Sequence, residues 1–129
     1  MATYLDSSAI VKLAVREAES AALRHFLRRR SPLVSSALAR TEVLRALLPA
    51  GEKAIARGRS VLRRLDLVRV SPRVLDAAGL WLPPGLRSLD AIHLATAQEL
   101  GSELRAFVTY DGRMAEAAKQ IGYRVLNPQ

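Results

Sequence analysis

The chain has 129 residues, half of them apolar and a quarter charged, which is one domain's worth of ordinary globular polypeptide. It contains no cysteine, so disulfide frameworks, thiolate metal sites and thiol nucleophiles are excluded. Twenty basic residues against twelve acidic ones give a net charge of +8, and 17 of the twenty are arginine, whose planar fork suits phosphate. Such a surface favours a polyanionic partner, nucleic acid first among them.

The longest nearly uncharged stretch, Ala78 to Leu86, is far below the ~20 apolar residues of a membrane span and carries Pro83-Pro84-Gly85. Met1 to Leu5 has no basic start, and Asp6 and Lys12 interrupt the apolar run of a signal peptide. The expected place of action is the cytoplasm, with no membrane partner.

Alternating short strands and longer helices punctuate the sequence. Thr3-Tyr4-Leu5 reads as a strand ending at Asp6, and Ser8 to Arg30 as one helix with an apolar stripe. Leu33-Val34-Ser35 is a second strand, Ser36 to Leu48 a second helix stopped at Pro49, and Glu52 to Leu65 a third. Leu67 to Val70 is extended, and Pro72 opens a helix toward Trp81. Ser88 is the expected cap of a helix running to Leu100 and closed by Gly101. Ala106 to Thr109 is an apolar strand, Gly112 to Ile121 the last helix, and Tyr123 to Leu126 the last strand. Strands alternating with helices of this length predict an α/β fold with parallel crossovers and helices on both sheet faces, spanning 1–129 as a single domain.

In such sheets the ligand crevice lies beyond the carboxyl ends of the strands. Asp6 ends the first strand and Asp111 follows the apolar strand Phe107-Val108, so both belong to that edge. Asp90 lies in the first turn of the Ser88 helix, and Glu42 stands in an apolar helical run beside Val43 and Leu44. Each has an ordinary reading: helix caps for Asp6 and Asp111, the macrodipole for Asp90, a pair with Arg45 for Glu42. Their company is what those readings leave unexplained. Like charges held close together need a counterion, and oxygen ligands in a chain without cysteine favour magnesium, or manganese, over zinc. Without the four acids the chain carries twenty basic residues against eight acidic ones, so the acids form an anionic island in a basic body.

His93, three residues beyond Asp90, is a candidate general acid or a packed histidine, and His25 is expected at the surface. Ser7 and Ser8 have no histidine at a recognisable triad spacing. Arg40, Arg45 and Arg87 are the candidate phosphate contacts, with a longer basic face on Lys53, Arg57, Arg59, Arg63 and Arg64. Trp81, Tyr4, Tyr110 and Tyr123 could stack on bases or fill the core.

Four segments in order, Tyr4-Leu5-Asp6-Ser7-Ser8-Ala9, Thr41-Glu42-Val43, Ser88-Leu89-Asp90-Ala91-Ile92-His93-Leu94-Ala95 and Val108-Thr109-Tyr110-Asp111, make the whole chain resemble the PIN domain, most closely the VapC-type toxin ribonucleases. The resemblance implies a parallel sheet of order 3-2-1-4-5. It implies magnesium-dependent endonucleolytic cleavage of RNA, with acidic metal ligands at Asp6, Glu42, Asp90 and Asp111. It places a metal-supporting hydroxyl at Ser8 and the hydroxyl of a Thr-x-Asp turn at Thr109. Water attack of this type leaves a 5′-phosphate and a 3′-hydroxyl. A small VapB-type antitoxin protein and a homodimer, formed through apolar faces of the early helices, are its implied partners. The alternatives are a catalytically silent PIN-like module that binds RNA or protein and a receiver-type phosphoacceptor domain. The latter would want a paired acid after the first strand, where this chain has serines, and a lysine after a late strand, where Lys119 is inside a helix.

Overall fold

The computed structural model describes residues 1–129. The order of elements is β1 (Ala2–Leu5), α1 (Ser7–Ala14), α2 (Ser20–Leu27), β2 (Leu33–Ser36), α3 (Ala39–Leu47), α4 (Glu52–Arg63), β3 (Asp66–Val68), α5 (Pro72–Gly79), α6 (Ser88–Gln98), β4 (Leu104–Val108), α7 (Gly112–Gln120) and β5 (Val125–Leu126), with single 3₁₀ turns at Leu48–Ala50 and Gly101–Glu103. All five strands are parallel and lie in the order β3-β2-β1-β4-β5. The chain therefore winds outward from β1 in one direction to β3, then starts again on the other side at β4. The β1–β4 boundary is the topological switch point, where α/β sheets bind ligands.

Residue alternation along the two central strands separates two cores. Leu5 and Val108 join Ile10, Leu23, Val43, Leu47 and Leu62 on the face covered by α1 to α4. Tyr4 and Phe107, their neighbours, join Val34, Leu94, Met114 and Ala117 on the face covered by α6 and α7. Tyr4 and Phe107 stack with ring centroids 5.0 Å apart, 9° from parallel. Each large side chain buried this way contributes about 1.5–3 kcal/mol. Helix α6 is buried at Ala91, His93, Leu94, Ala95, Thr96 and Ala97, and its small residues let it lie close against the sheet and α5.

Two local expectations are corrected. The long helix expected over Ser8 to Arg30 is two helices broken between Ala14 and Ser20. Ser20 makes the break: its Oγ donates to the Val15 carbonyl at 3.0 Å and accepts from the Glu17 amide at 2.9 Å, closing a turn that competes with the helix. Lys12 pairs with Glu19 at 2.7 Å across the same turn. Ser88 does not cap α6 but is its first residue; Arg87 holds the cap position without a side-chain bond.

Candidate active site

The switch point is stitched shut by hydroxyl groups. Leu5 pairs with Val108, and the Asp6 amide continues the ladder by donating to the Val108 carbonyl at 3.2 Å. Asp6 caps α1, its Oδ1 accepting from the Ala9 amide at 3.0 Å and from Ser8 Oγ at 2.6 Å. Its Oδ2 accepts from the Thr109 hydroxyl. Thr109 Oγ1 in turn accepts from the Asp111 amide at 3.0 Å, and Ser8 Oγ accepts from the Tyr110 amide at 2.9 Å. Ser8 and Thr109 thus fasten the turn after β1 to the turn after β4, with Asp6, 2 % exposed, between them. Burial lifts the Asp6 carboxyl above its ordinary value, and the bonds from Ser8 and Thr109 only partly offset it.

Asp111 caps α7, its Oδ1 accepting from the amides of Arg113 at 2.9 Å and Met114 at 3.1 Å. The capping readings of Asp6 and Asp111 are therefore correct, and they position both carboxylates on one edge. Asp90 is half-buried in the first turn of α6. Burial and the negative charges of Asp111 and Asp6 raise its carboxyl above the usual range, against weaker opposing pulls from His93 and Arg87. None of the ion pairs of the chain involves Asp6, Asp90 or Asp111.

Glu42 sits differently. Its Oε1 lies 2.6 Å from His93 Nε2 and accepts from Ser7 Oγ at 2.6 Å, while the other ring nitrogen, Nδ1, lies 2.7 Å from the Tyr4 hydroxyl. Arg45, the partner expected one turn on, is exposed and unpaired. Burial pushes the Glu42 carboxyl up, but the bonds from His93 and Ser7 outweigh it and hold it below its ordinary value. An ionised carboxylate only accepts, so Nε2 carries a hydrogen. Tyr4, fully buried and held protonated by that burial, has its hydroxyl hydrogen to give to Nδ1. His93 is 1 % exposed, with both nitrogens engaged, which makes it a packed histidine rather than an exposed proton donor. Sequence reading left its partners open, because Tyr4 and Glu42 are 89 and 51 residues away.

The fold thus sets Asp6 and Asp111 where the two central strands end and Asp90 within range of their charge, with Glu42 attached through Ser7, the residue after Asp6. The negative charges of Asp111 and Asp6 raise the proton affinity of Asp90, and carboxylate oxygens are the donors a hard divalent cation suits. No three acidic or histidine side chains approach closely enough as they stand to surround an ion. Arg87 is exposed at the start of α6, within range of the Asp90 charge, and Arg40 is exposed where it lines a groove of about 300 Å³ with Arg59 and Arg63. The largest cavity, about 580 Å³, lies apart from the acids between α5 and α6, lined by Leu75, Leu80, Trp81, Leu82 and Ile92. His25 is exposed as expected, and Tyr4, Tyr110 and Tyr123 are held in the fold rather than offered for stacking.

A five-stranded parallel sheet of this order, with Asp6 and Asp111 capping the helices that follow its two central strands, defines an α/β domain whose acids stand at the switch point. The chain belongs to the PIN domain family, whose model matches residues 3–120. It is 65 % identical over 127 residues to Ribonuclease VapC46 of Mycobacterium tuberculosis, covering 98 % of both chains. Among solved structures it is similar to VapC20 of the same organism, a Sarcin-Ricin loop cleaving toxin, with a TM-score of 0.79 at 16 % identity over 98 % of this chain and 99 % of that one. A toxin–antitoxin complex from Klebsiella pneumoniae contains a chain similar to it with a TM-score of 0.73 at 21 % identity, covering 98 % of each. The sheet order is the one the resemblance implied. This membership sets aside the receiver-type alternative, and Lys119 is exposed within α7.

Proposed function

We propose that residues 1–129 act as one domain, a magnesium-dependent endoribonuclease that serves as the toxin of a toxin–antitoxin pair in the cytoplasm. The observation that carries this reading is a PIN domain 65 % identical over 127 residues to a ribonuclease, with Asp6 and Asp111 both at the switch point of its sheet. No helix is long and apolar enough to cross a membrane.

Asp6, Asp90 and Asp111 would hold the cation, magnesium or in its place manganese, which when bound lowers the pKa of water and offsets charge on the attacked phosphate. Ser8 and Thr109 act behind Asp6, keeping its two oxygens in place. Glu42 has Oε1 committed to Ser7 and His93, leaving Oε2 to orient a water or to complete the ligand set. Arg40, Arg45 and Arg87 are exposed and would take the phosphates that flank the cleaved bond. No protein nucleophile is required.

A small antitoxin protein and a second copy of the chain are the proposed partners. Of the early helices expected to form the dimer, α1 and α2 leave no large apolar side chain strongly exposed, and Leu48, just past α3, is the one exposed there. Leu75, Leu80, Leu82 and Leu89 are exposed instead, on and between α5 and α6. That face is the better dimer surface.

The test is cleavage of total cellular RNA in magnesium and in excess EDTA, by the wild type and by Asp6→Asn and Asp90→Asn. Metal-dependent cutting that both substitutions abolish supports the reading. Cutting that survives EDTA, or survives in both variants, overturns it.

A further inference from the structure

Three arginines gather at the edge of the sheet opposite the acids. Arg30 stands between α2 and β2, Arg105 is the second residue of β4, and Arg124 directly precedes β5, so the topology places all three where strands begin. The β1–β4 ladder pairs Ala2 with Leu104 but Thr3 with Ala106, which leaves Arg105 as the extra residue of a bulge. Bulges re-aim side chains and recur at functional edges. Arg124 is fixed through its carbonyl, which accepts from the Phe107 amide at 2.8 Å. The Arg30 guanidinium lies over the Phe26 ring, 4.0 Å from its centroid.

Nothing in the chain neutralises these charges. None of the five ion pairs includes Arg30, Arg105 or Arg124, and the adjacent acid, Glu103, is engaged by the Met1 ammonium at 3.6 Å. Arg30 Nη1 is buried and has no hydrogen-bond partner, which is rare for a guanidinium nitrogen that cannot shed its proton. Burial, with the charges of Arg105 and Arg124, lowers the pKa of Arg30, as expected of cations held within reach of one another. Such a trio offers its unpaired donors to an anion.

We propose that Arg30, Arg105 and Arg124 form a second phosphate-binding site, which takes the backbone of the RNA substrate at a distance from the cleaved bond. The inference rests on the endoribonuclease reading for the identity of its ligand. At about 3.3 Å per residue, the four residues of β1 put this edge roughly 13 Å from Asp6. A short oligonucleotide seated on the acids would fall short of it, whereas a longer RNA folding around the domain would reach both edges.

The test compares the wild type with Arg105→Ala/Arg124→Ala, both sites being exposed. RNA binding is measured by fluorescence anisotropy in EDTA, where no cleavage is needed, against a tetranucleotide and an RNA of transfer-RNA size. The expected result is unchanged affinity for the tetranucleotide. On the long RNA the log–log salt slope should become shallower by about 1.4, at about 0.7 per phosphate contact removed. An unchanged slope on the long RNA, or an equal loss on the tetranucleotide, would each overturn the proposal. If the double variant does not fold, the single glutamine variants carry the same comparison at half the slope change. Because wild-type cleavage in magnesium is scored separately, failure of the nuclease reading is distinguishable from failure of this site.

Discussion

His93 and Glu42 lie 51 residues apart in the chain and 2.6 Å apart in the fold, and the bond between them decides which glutamate oxygen is available to the site. His93→Leu should leave Oε1 held by Ser7 alone and let the carboxylate rotate more freely. We expect cleavage to fall about 10- to 100-fold, the usual cost of losing an orienting partner. The loss should appear in kcat with KM nearly constant, and manganese affinity measured by calorimetry should weaken in parallel. His93→Gln, whose amide can donate to the same oxygen, should recover part of both. Equal kinetics in all three proteins would show that Glu42 needs no such anchor.

Asp90→Asn separates stability from activity. The substitution removes a negative charge that faces two others, so in EDTA the variant should melt above the wild type. In excess magnesium that advantage should shrink or reverse, because the wild type alone retains the full set of carboxylates. Thermal melts in the two buffers check this, with cleavage reduced to background throughout. A variant that melts lower than the wild type in EDTA would contradict the crowding of charge at this edge.

Tyr123 donates to the Leu94 carbonyl at 2.9 Å, and burial pushes its phenol up to about 12. Burial does the same for Tyr110, also to about 12. The unfolded phenol titrates near 10, so the folded state holds its protons longer. The associated stability is complete below about pH 10 and is lost as the pH rises toward 12. Tyr123→Phe should cost about 1 kcal/mol at neutral pH, where one hydrogen bond is lost. It should also flatten the alkaline fall. Urea titrations at neutral pH and near pH 11 measure both effects.

Gly58 is buried in α4 where it faces Leu47 and Val43 of α3. A methyl group there would press on Leu47 Cδ1, itself in the core. Gly58→Ala gains about 1 kcal/mol of helix propensity but overpacks a site where such insertions cost about 1–3 kcal/mol. The net expectation is destabilisation of up to about 2 kcal/mol, with cleavage at low temperature intact. Chemical denaturation measures the first and a discontinuous cleavage assay the second.

Much of this was legible in the sequence where the signals are local. Pro72 at the start of α5, Gly122 after α7 and the aspartates that close β1 and follow β4 each act within a few residues, and the elements stand close to where those residues put them. The break between α1 and α2 was hidden because the apolar stripe continues through it, while the turn is made by one serine hydroxyl. The partners of Glu42 were hidden for a different reason. Arg45 is the local choice, and His93 reaches Glu42 only after α6 has packed on the sheet beside Tyr4. Sheet order came from the family resemblance, since strands of two to five residues carry no pairing code of their own.

Along β1 the side chains of Tyr4 and Leu5 enter opposite cores before the strand ends on Asp6. One residue inserted or deleted here would exchange the two faces and move the aspartate off the corner at the same time. Packing and chemistry therefore share a single reading frame in this strand. Evolution can retune the surrounding loops by length, but it can alter the central strand only by replacement.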